Sequence, residues 1–179
     1  MTADVVGCEE LASQLRSGIV AIDGPSGAGK SQFADRLIAQ LRERGVHAVL
    51  VRTDDFATWD SPVSWWDELE DDVLQAFRRG HDYRYHPRIW RDGKAELGTR
   101  VWIRWEPLLI IEGVSSARRR VADRLTAALW LDGGSADDRL ERAVARDGES
   151  ERANLSSWQQ FEAGWFAVDK TRERCRLVG

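Results

Sequence analysis

The stretch Gly24-Pro25-Ser26-Gly27-Ala28-Gly29-Lys30-Ser31 decides the fold, because it matches the pattern G-x-x-x-x-G-K-S at every fixed position. Glycines in such a loop let backbone N–H groups turn inward around phosphate oxygens. The lysine is then expected to reach the β- and γ-phosphates of a nucleoside triphosphate, and the serine hydroxyl is expected to ligate Mg²⁺. The pattern therefore predicts a phosphate-binding loop. A purely structural glycine turn is the alternative.

The residues on either side supply the setting that this loop requires. Residues 19–22 (Ile-Val-Ala-Ile) form a short apolar run suited to a buried strand, and residues 30–44 have the spacing of an amphipathic helix that Gly45 closes. A helix that begins at Lys30 directs the positive end of its dipole at a bound anion. Strand, loop and helix in this order are the context in which the motif binds nucleotides.

The rest of the chain alternates apolar runs with amphipathic stretches, whereas residues 80–98 show no clear period. Further strands are predicted at 48–51, 108–111, 128–131 and 176–178, and further helices at 9–16, 64–79, 137–146 and 156–170. Continuous apolar strands between amphipathic helices are typical of a parallel sheet covered on both faces. The sequence therefore predicts a three-layer α/β fold of the P-loop NTPase or kinase type. We expect one domain over 1–179 with a short lid near 147–154.

Two further predicted helices, at 64–79 and 156–170, also carry apolar faces. In the helix at 64–79 the inward residues are expected to be Trp66, Leu69, Val73 and Phe77. In the helix at 156–170, one face carries Trp158, Phe161, Trp165 and Val168. Trp65 and Trp66 are expected to serve packing, whereas Trp59 and Trp90 are expected to form pocket walls.

Composition and charge exclude several classes of function. The net charge of −4 lacks the basic field that nucleic-acid binding needs. No apolar run approaches the length of a membrane span, and the first residues lack the pattern of a signal peptide. Cys8 and Cys175 are expected to be reduced thiols, and the three histidines are assigned no chemistry. We therefore expect a cytoplasmic protein without nucleic-acid or membrane partners, its oligomeric state left open.

Acidic residues follow two of the predicted strands. In open α/β sheets ligands bind at the carboxyl ends of the strands, so Asp54 would lie across a cleft from the phosphate loop. There it could accept the proton of an attacking hydroxyl or hold a metal-bound water. Glu112 would anchor Mg²⁺ directly or through water. The alternatives are that Asp54 and Asp55 merely open a turn and that Glu112 is a surface acid.

Two groups of arginines call for different interpretations. Arg139, Arg142 and Arg146 recur at helical spacing and share a face, and guanidinium groups suit a transferring phosphoryl group. Asp138 lies four residues before Arg142, so a solvated, salt-bridged face is the alternative. Residues 118–120 (Arg-Arg-Arg) cannot all share one helix face and are expected to lie mostly at the surface.

Five segments together resemble the uridine kinase family of P-loop nucleoside kinases. They are residues 22–31 with the phosphate loop, 53–56 (Thr-Asp-Asp-Phe), 59–62 (Trp-Asp-Ser-Pro), 110–113 (Ile-Ile-Glu-Gly) and the arginine-bearing stretch 139–147. The resemblance implies an ATP- and Mg²⁺-dependent kinase that phosphorylates a hydroxyl of a small molecule, first of all a nucleoside such as uridine or cytidine.

The resemblance also implies roles for individual residues. Asp54 would be the catalytic base, assisted by Lys30, Arg142 and Arg146, and Asp60 would hold the ribose hydroxyls. Mg²⁺ would be bound by Ser31 and Glu112. The expected ATP contacts are Gly24, Ser26, Gly27, Ala28, Gly29, Lys30, Ser31 and Arg139. The expected acceptor contacts are Asp54, Trp59, Asp60, Tyr85, Arg88 and Trp90.

The segment that frames the base in the family is altered here. Its nearest match, residues 88–90 (Arg-Ile-Trp), keeps an aromatic residue but lacks the Tyr-Asp pair, for which Tyr83 and Tyr85 are the nearby substitutes. Another hydroxylated metabolite or natural product is therefore the second hypothesis for the acceptor. A nucleotide-dependent switch is the third, although the chain contains neither an N-K-x-D nor an L-S-G-G string.

Overall fold

A computed structural model describes residues 5–91 and 94–179 of the chain. The strands are β1 (Gly18–Asp23), β2 (Ala48–Arg52), β3 (Tyr83–Tyr85), β4 (Arg88–Arg91), β5 (Lys94–Leu97), β6 (Val101–Ile103), β7 (Leu108–Glu112), β8 (Ala127–Trp130) and β9 (Arg176–Leu177). The helices are α1 (Cys8–Gln14), α2 (Lys30–Glu43), α3 (Trp66–Leu69), α4 (Gln75–Arg78), α5 (Ala136–Asp147), α6 (Arg152–Asp169) and α7 (Thr171–Arg174).

A five-stranded parallel sheet in the order β2-β7-β1-β8-β9 forms the middle layer. Successive side chains of a strand point to opposite faces, and β7 shows the consequence. Leu108 and Ile110 pack in the core under α1 and α2, whereas Leu109 and Ile111 pack in the core under α3 and α4. Helices therefore cover both faces of the sheet, which confirms the predicted three-layer α/β fold.

The helix predicted at 64–79 is present but not uniform. It runs from α3 through a π-helical turn at Glu70–Leu74 into α4, and the four expected inward residues are buried: Trp66, Leu69, Val73 and Phe77. The segment 80–98, for which no element was predicted, contributes β3, β4 and β5. β3 pairs with β6 and β4 with β5, both antiparallel. Strands of three or four residues are too short to show a clear period.

The apolar face predicted for the last long helix is only partly correct. Val168 is 81% exposed and Phe161 is 41% exposed, whereas the residues of α6 that are buried are Leu155 and Glu162. The helix packs against α5 and the phosphate loop instead of burying one continuous apolar stripe.

In the run 118–120, Arg119 and Arg120 are exposed, as expected for most of this run, whereas Arg118 is not. Its side chain is buried, and the guanidinium carbon lies 4.6 Å from the ring centroid of Trp66 and 5.1 Å from that of Trp165. The guanidinium also donates hydrogen bonds to the carbonyl of Val63 (2.7 Å) and to Oγ of Ser115 (2.9 Å). Stacking on aromatic faces and hydrogen bonds from Nε and one Nη allow this cation to be buried.

Replacing Arg118 by alanine is expected to lower the free energy of unfolding by about 3 kcal/mol, because it leaves a cavity among tryptophans and removes the partner of buried carbonyls. Arg120→Ala is the matched control, since its exposed ion pair with Asp67 (3.3 Å) should contribute less than about 0.5 kcal/mol. Urea unfolding followed by tryptophan fluorescence measures both variants. Equal losses in the two would contradict the role of Arg118 in the core.

No helix within the described residues has the length and apolar character needed to cross a membrane. Cys8 and Cys175 are free cysteines.

Candidate active site

The phosphate loop connects the end of β1 to the start of α2 at Lys30. Gly24 and Gly27 have positive φ angles of +142° and +74°. A Cβ atom at Gly24 would collide with the carbonyl oxygen of Leu131, and one at Gly27 would collide with that of Arg139. The loop therefore needs glycine at both positions, because the backbone after β8 and the start of α5 approach it closely.

Asp23, the last residue of β1, ties the beginning of the loop to the segment after β7. Its buried carboxylate accepts hydrogen bonds from the backbone N–H groups of Gly24 (2.8 Å), Ser115 (3.0 Å) and Ala117 (2.8 Å). Burial raises its pKa to about 6, an effect that these donors oppose. The sequence signal for this role was an acid at the end of an apolar strand, directly before the loop.

Ser31 and Glu112 lie together beside the loop. The Ser31 hydroxyl donates to Oε2 of Glu112 at 3.1 Å, and Nε of Arg52 lies 3.4 Å from the same oxygen. Burial raises the pKa of Glu112, and the positive charge of Lys30 opposes that shift. Lys30 is buried and donates from Nζ to the carbonyl of Pro25 (2.9 Å). Sequence reasoning missed Arg52, which follows the apolar run of β2.

The two aspartates after β2 occupy different environments. Asp54 is exposed and lines a cavity, whereas Oδ2 of Asp55 accepts a hydrogen bond from the Tyr85 hydroxyl at 2.6 Å. Burial raises the pKa of Asp55, and the bond from Tyr85 opposes that shift. Tyr85 is itself buried, stacked on Phe56 with ring centroids 4.9 Å apart. Tyr85 therefore packs in the core from a short strand and holds Asp55, and it is not part of the cavity lining described below.

Tyr85→Phe is expected to destabilise the protein by about 1 kcal/mol at neutral pH, because a half-buried carboxylate loses its donor. The bond lowers the pKa of Asp55, so its stabilisation is present while Asp55 is ionised and is lost as the pH falls through that pKa. Tyr83→Phe is the matched control, since the buried Tyr83 hydroxyl has no hydrogen-bond partner among the described residues. Thermal unfolding at several pH values measures both variants, and equal effects would contradict the role of this hydrogen bond.

A cavity of about 550 Å³ opens beside Asp54. Its lining residues are Ser26, Asp54, Ala57, Trp59, Trp90, Arg146, Asp147, Glu151, Leu155 and Trp158. The Trp59 ring meets Trp90 at 4.9 Å and Trp158 at 5.3 Å between centroids, both at steep angles. Trp59 and Trp90 thus lie in the wall where the sequence predicted them. Trp158 was predicted only as part of an apolar helix face.

Besides Tyr85, two further expected acceptor contacts lie outside this lining. Asp60 is exposed, in the turn where Thr58 and Ser61 pair. Arg88 forms a two-bond ion pair with Glu68 at 2.8 and 3.1 Å, which directs its side chain toward α3. The structure therefore does not bring Asp60 and Arg88 to the cavity.

Two arginines of α5 donate hydrogen bonds to backbone carbonyls in and near the phosphate loop. Nε of Arg142 donates to the carbonyl of Gly27 at 2.9 Å, and Arg139 donates to the carbonyls of Asp132 and Gly134. Arg139 also lines a second cavity, of about 410 Å³, whose walls include Pro25 and Phe166. These two side chains thus brace the backbone around the loop.

Arg146, the third of the arginines that share a face of α5, lines the cavity. Arg146 forms two hydrogen bonds of 2.6 Å with the carboxylate of Asp147, and both residues line the cavity. The hydrogen bond to Asp147 raises the pKa of Arg146, and the charges of Asp54 and Glu112 act in the same direction. Asp138 is hydrogen-bonded to Ser135, and the guanidinium of Arg142 donates to the carbonyls of Gly27 and Gly133 rather than to Asp138.

The segment expected to form a short lid joins α5 to α6. It contains a 3₁₀ turn, Glu149–Glu151, and the first residue of α6, Arg152, pairs with Glu141 (2.6 Å) and Glu149 (2.5 Å). Arg152 thus offsets part of the negative charge of this acidic segment.

A buried carboxylate that the sequence did not reveal touches the loop. Glu162 of α6 is 1% exposed and accepts hydrogen bonds from the backbone N–H of Ser26 (2.9 Å), from the Ser26 hydroxyl and from Nε1 of Trp158 (2.5 Å). Burial raises its pKa, and the charge of Lys30 opposes that shift most strongly. Its sequence signal was faint: one acid four residues after a tryptophan in an apolar stretch.

The sequence matches no protein-family model, and a search of curated proteins gives no significant match. The structure is similar to that of a Bacillus stearothermophilus protein proposed to be a uridine kinase, with a TM-score of 0.67 and 16% identity over 96% of this chain and 94% of that one. It is also similar to a Silicibacter sp. TM1040 protein proposed to be a fructose transport system kinase, with a TM-score of 0.62 and 18% identity over 96% and 98% of the two chains. The chain therefore has the fold of the P-loop kinases.

Proposed function

We propose that this protein is an ATP- and Mg²⁺-dependent kinase that transfers the γ-phosphoryl group to a hydroxyl of a small molecule. The observation that carries the proposal is the placement of a complete phosphate loop beside a cavity that contains an exposed carboxylate, Asp54, and three tryptophans. A loop that only held nucleotide for a conformational output would have no need of such a cavity.

The residues around the loop fit a nucleotide and a metal ion. Positive φ angles at Gly24, Gly27 and Gly29 would let the loop curve around a bound phosphate, and Lys30 and the α5 arginines supply positive charge. Ser31 and Glu112 would hold Mg²⁺, which when bound neutralises charge on the β- and γ-phosphates. Among the described residues no group of three or more His, Cys, Asp and Glu side chains is placed to hold a metal. This suits Mg²⁺, which commonly uses one carboxylate together with phosphates and water.

Asp54 is the residue best placed to serve as the base. Asp55 is occupied by Tyr85, whereas Asp54 lines the cavity and is close enough for its charge to raise the pKa of Glu112. Asp54 would accept the acceptor's hydroxyl proton while the new O–P bond forms and the bond to the ADP oxygen breaks. Arg146 at the cavity would stabilise charge on the moving phosphoryl group, in exchange for its bond to Asp147.

A nucleoside is the first choice of acceptor, because the tryptophan walls offer apolar surface to a planar base. One observation favours the second candidate, another hydroxylated metabolite. Asp60, expected to hold the two ribose hydroxyls, lies outside the cavity lining.

A panel of nucleosides and other hydroxylated metabolites, each incubated with ATP and Mg²⁺, tests the proposal by mass spectrometry. We expect at least one compound to gain one phosphoryl group, and product to form at least about 30-fold more slowly with Lys30→Ala at the same enzyme concentration. If uridine and cytidine are inert and a non-nucleoside gains the group, the second candidate is correct. ATP binding without any phosphorylated product would contradict the kinase assignment.

A further inference from the structure

Glu162 contacts two parts of the site that lie far apart in the sequence. Its carboxylate accepts both hydrogen-bond donors of Ser26, the third residue of the phosphate loop. The oxygen that accepts the Ser26 hydroxyl also accepts the indole N–H of Trp158, a wall of the acceptor cavity. A single buried carboxylate is therefore shared by the loop that would bind the donor phosphate and the wall that would contact the acceptor.

The burial of this carboxylate requires explanation, because a buried charge is costly unless its acceptor sites are filled. Three donors from Ser26 and Trp158 meet that requirement. No guanidinium of α6 does so, since the basic residue at the start of the helix, Arg152, pairs with Glu141 and Glu149. The partners of Glu162 are thus elements of the site itself.

The bond between Glu162 and Ser26 fixes the orientation of one backbone N–H group of the phosphate loop. The N–H of Ser26 is directed toward α6 by its bond to Glu162. The first half of the loop is thereby held from outside. In its second half the Ala28 N–H and Nζ of Lys30 both donate to the Pro25 carbonyl, and the N–H groups of the glycines would face the phosphates. A loop held in this way is preorganised, which improves nucleotide binding by lowering the ordering cost.

We propose that Glu162 is a positioning residue that couples the nucleotide site to the acceptor cavity by fixing Ser26 and Trp158 relative to each other. The inference rests on the proposed nucleotide site. Phosphoryl transfer depends on the alignment of donor and acceptor, and a misplacement of about 1 Å can cost about 10²-fold in rate. Glu162 holds one element of each side in a fixed arrangement.

A double-mutant cycle on ATP affinity tests the coupling without knowledge of the acceptor. Titration calorimetry with ATP and Mg²⁺ is done on the wild type, Glu162→Gln, Trp158→Phe and the double variant. We expect Glu162→Gln to weaken ATP binding about tenfold, since an amide cannot accept all the bonds, and Trp158→Phe to weaken it about threefold. The double variant should match Glu162→Gln, because the effect of Trp158 passes through Glu162.

The controls separate this coupling from a general loss of stability. Glu173→Gln removes an exposed carboxylate just beyond α6, and Trp102→Phe changes an exposed tryptophan of β6; both should leave ATP affinity unchanged. A Trp158→Phe effect equal in the presence and absence of Glu162 would overturn the proposal. So would Glu162→Gln with unchanged ATP affinity, even if its melting temperature fell.

The result is distinguishable from failure of the kinase assignment. A wild-type protein that does not bind ATP with Mg²⁺ would overturn both. Coupling in the cycle together with no phosphorylated product on the metabolite panel would support the role of Glu162 and overturn the kinase assignment alone.

Discussion

Asp54→Asn is expected to lower the rate of phosphoryl transfer by about 10²-fold or more while ATP still binds. Asparagine keeps the shape of the side chain but cannot take up the proton of an attacking hydroxyl. The side chain is exposed and lines the cavity, so its replacement removes no bond on which the fold depends. Single-turnover transfer at saturating ATP measures the effect on the chemical step.

Asp55→Asn serves as the comparison for Asp54→Asn. It is expected to affect stability more than the rate, because Asp55 is bound to Tyr85. Wild-type transfer by Asp54→Asn, with a large loss in Asp55→Asn, would assign the base to Asp55. Wild-type transfer by both variants would rule out either aspartate as the general base.

Lys30→Ala is expected to cost at least about 2 kcal/mol of transition-state stabilisation, roughly a 30-fold loss in kcat/KM for ATP. The ammonium group is buried beside the loop, where its only described hydrogen bond is to the Pro25 carbonyl. It is therefore positioned to exchange that bond for phosphate oxygens. Lysine and alanine both favour helix, so the loss should reflect the missing charge and not an altered α2.

Arg42→Ala is the matched control for Lys30→Ala, because it removes one positive charge from the exposed far end of the same helix. It should leave kcat/KM within about twofold, since exposed charges at that distance are screened. Near-normal turnover by a folded Lys30→Ala variant would contradict the phosphate-loop assignment.

The parts of the fold that the sequence predicted are those decided by local patterns. The strand, glycine loop and helix around Lys30 follow from residues adjacent in the chain. Ser31 and Glu112 are 81 residues apart, yet their contact was predictable because carboxyl ends of neighbouring parallel strands meet at one edge of the sheet. Local periodicity and this topological rule together account for the centre of the candidate site.

The parts that could not be predicted depend on non-local contacts of single polar residues. Glu162 and Arg118 lie in stretches whose sequence gives no hint of which distant groups bind them. The sequence also does not show which way a side chain on a short strand points. Tyr85 and Arg88 were therefore expected to contact the acceptor, whereas in the structure Tyr85 is bonded to Asp55 and Arg88 to Glu68. In these cases tertiary packing decides between positions that the sequence leaves equivalent.

The most direct test of the central claim compares ADP formation with and without the acceptor that the panel identifies. If the protein is a kinase, the acceptor should raise the rate of ADP formation well above the acceptor-free rate, with one phosphorylated acceptor formed for each ADP. The contrary result is a rate of ADP formation that no added alcohol raises, with the γ-phosphoryl group transferred to water and recovered as inorganic phosphate. That outcome would identify a nucleotide-dependent switch and contradict the assignment of this protein as a kinase.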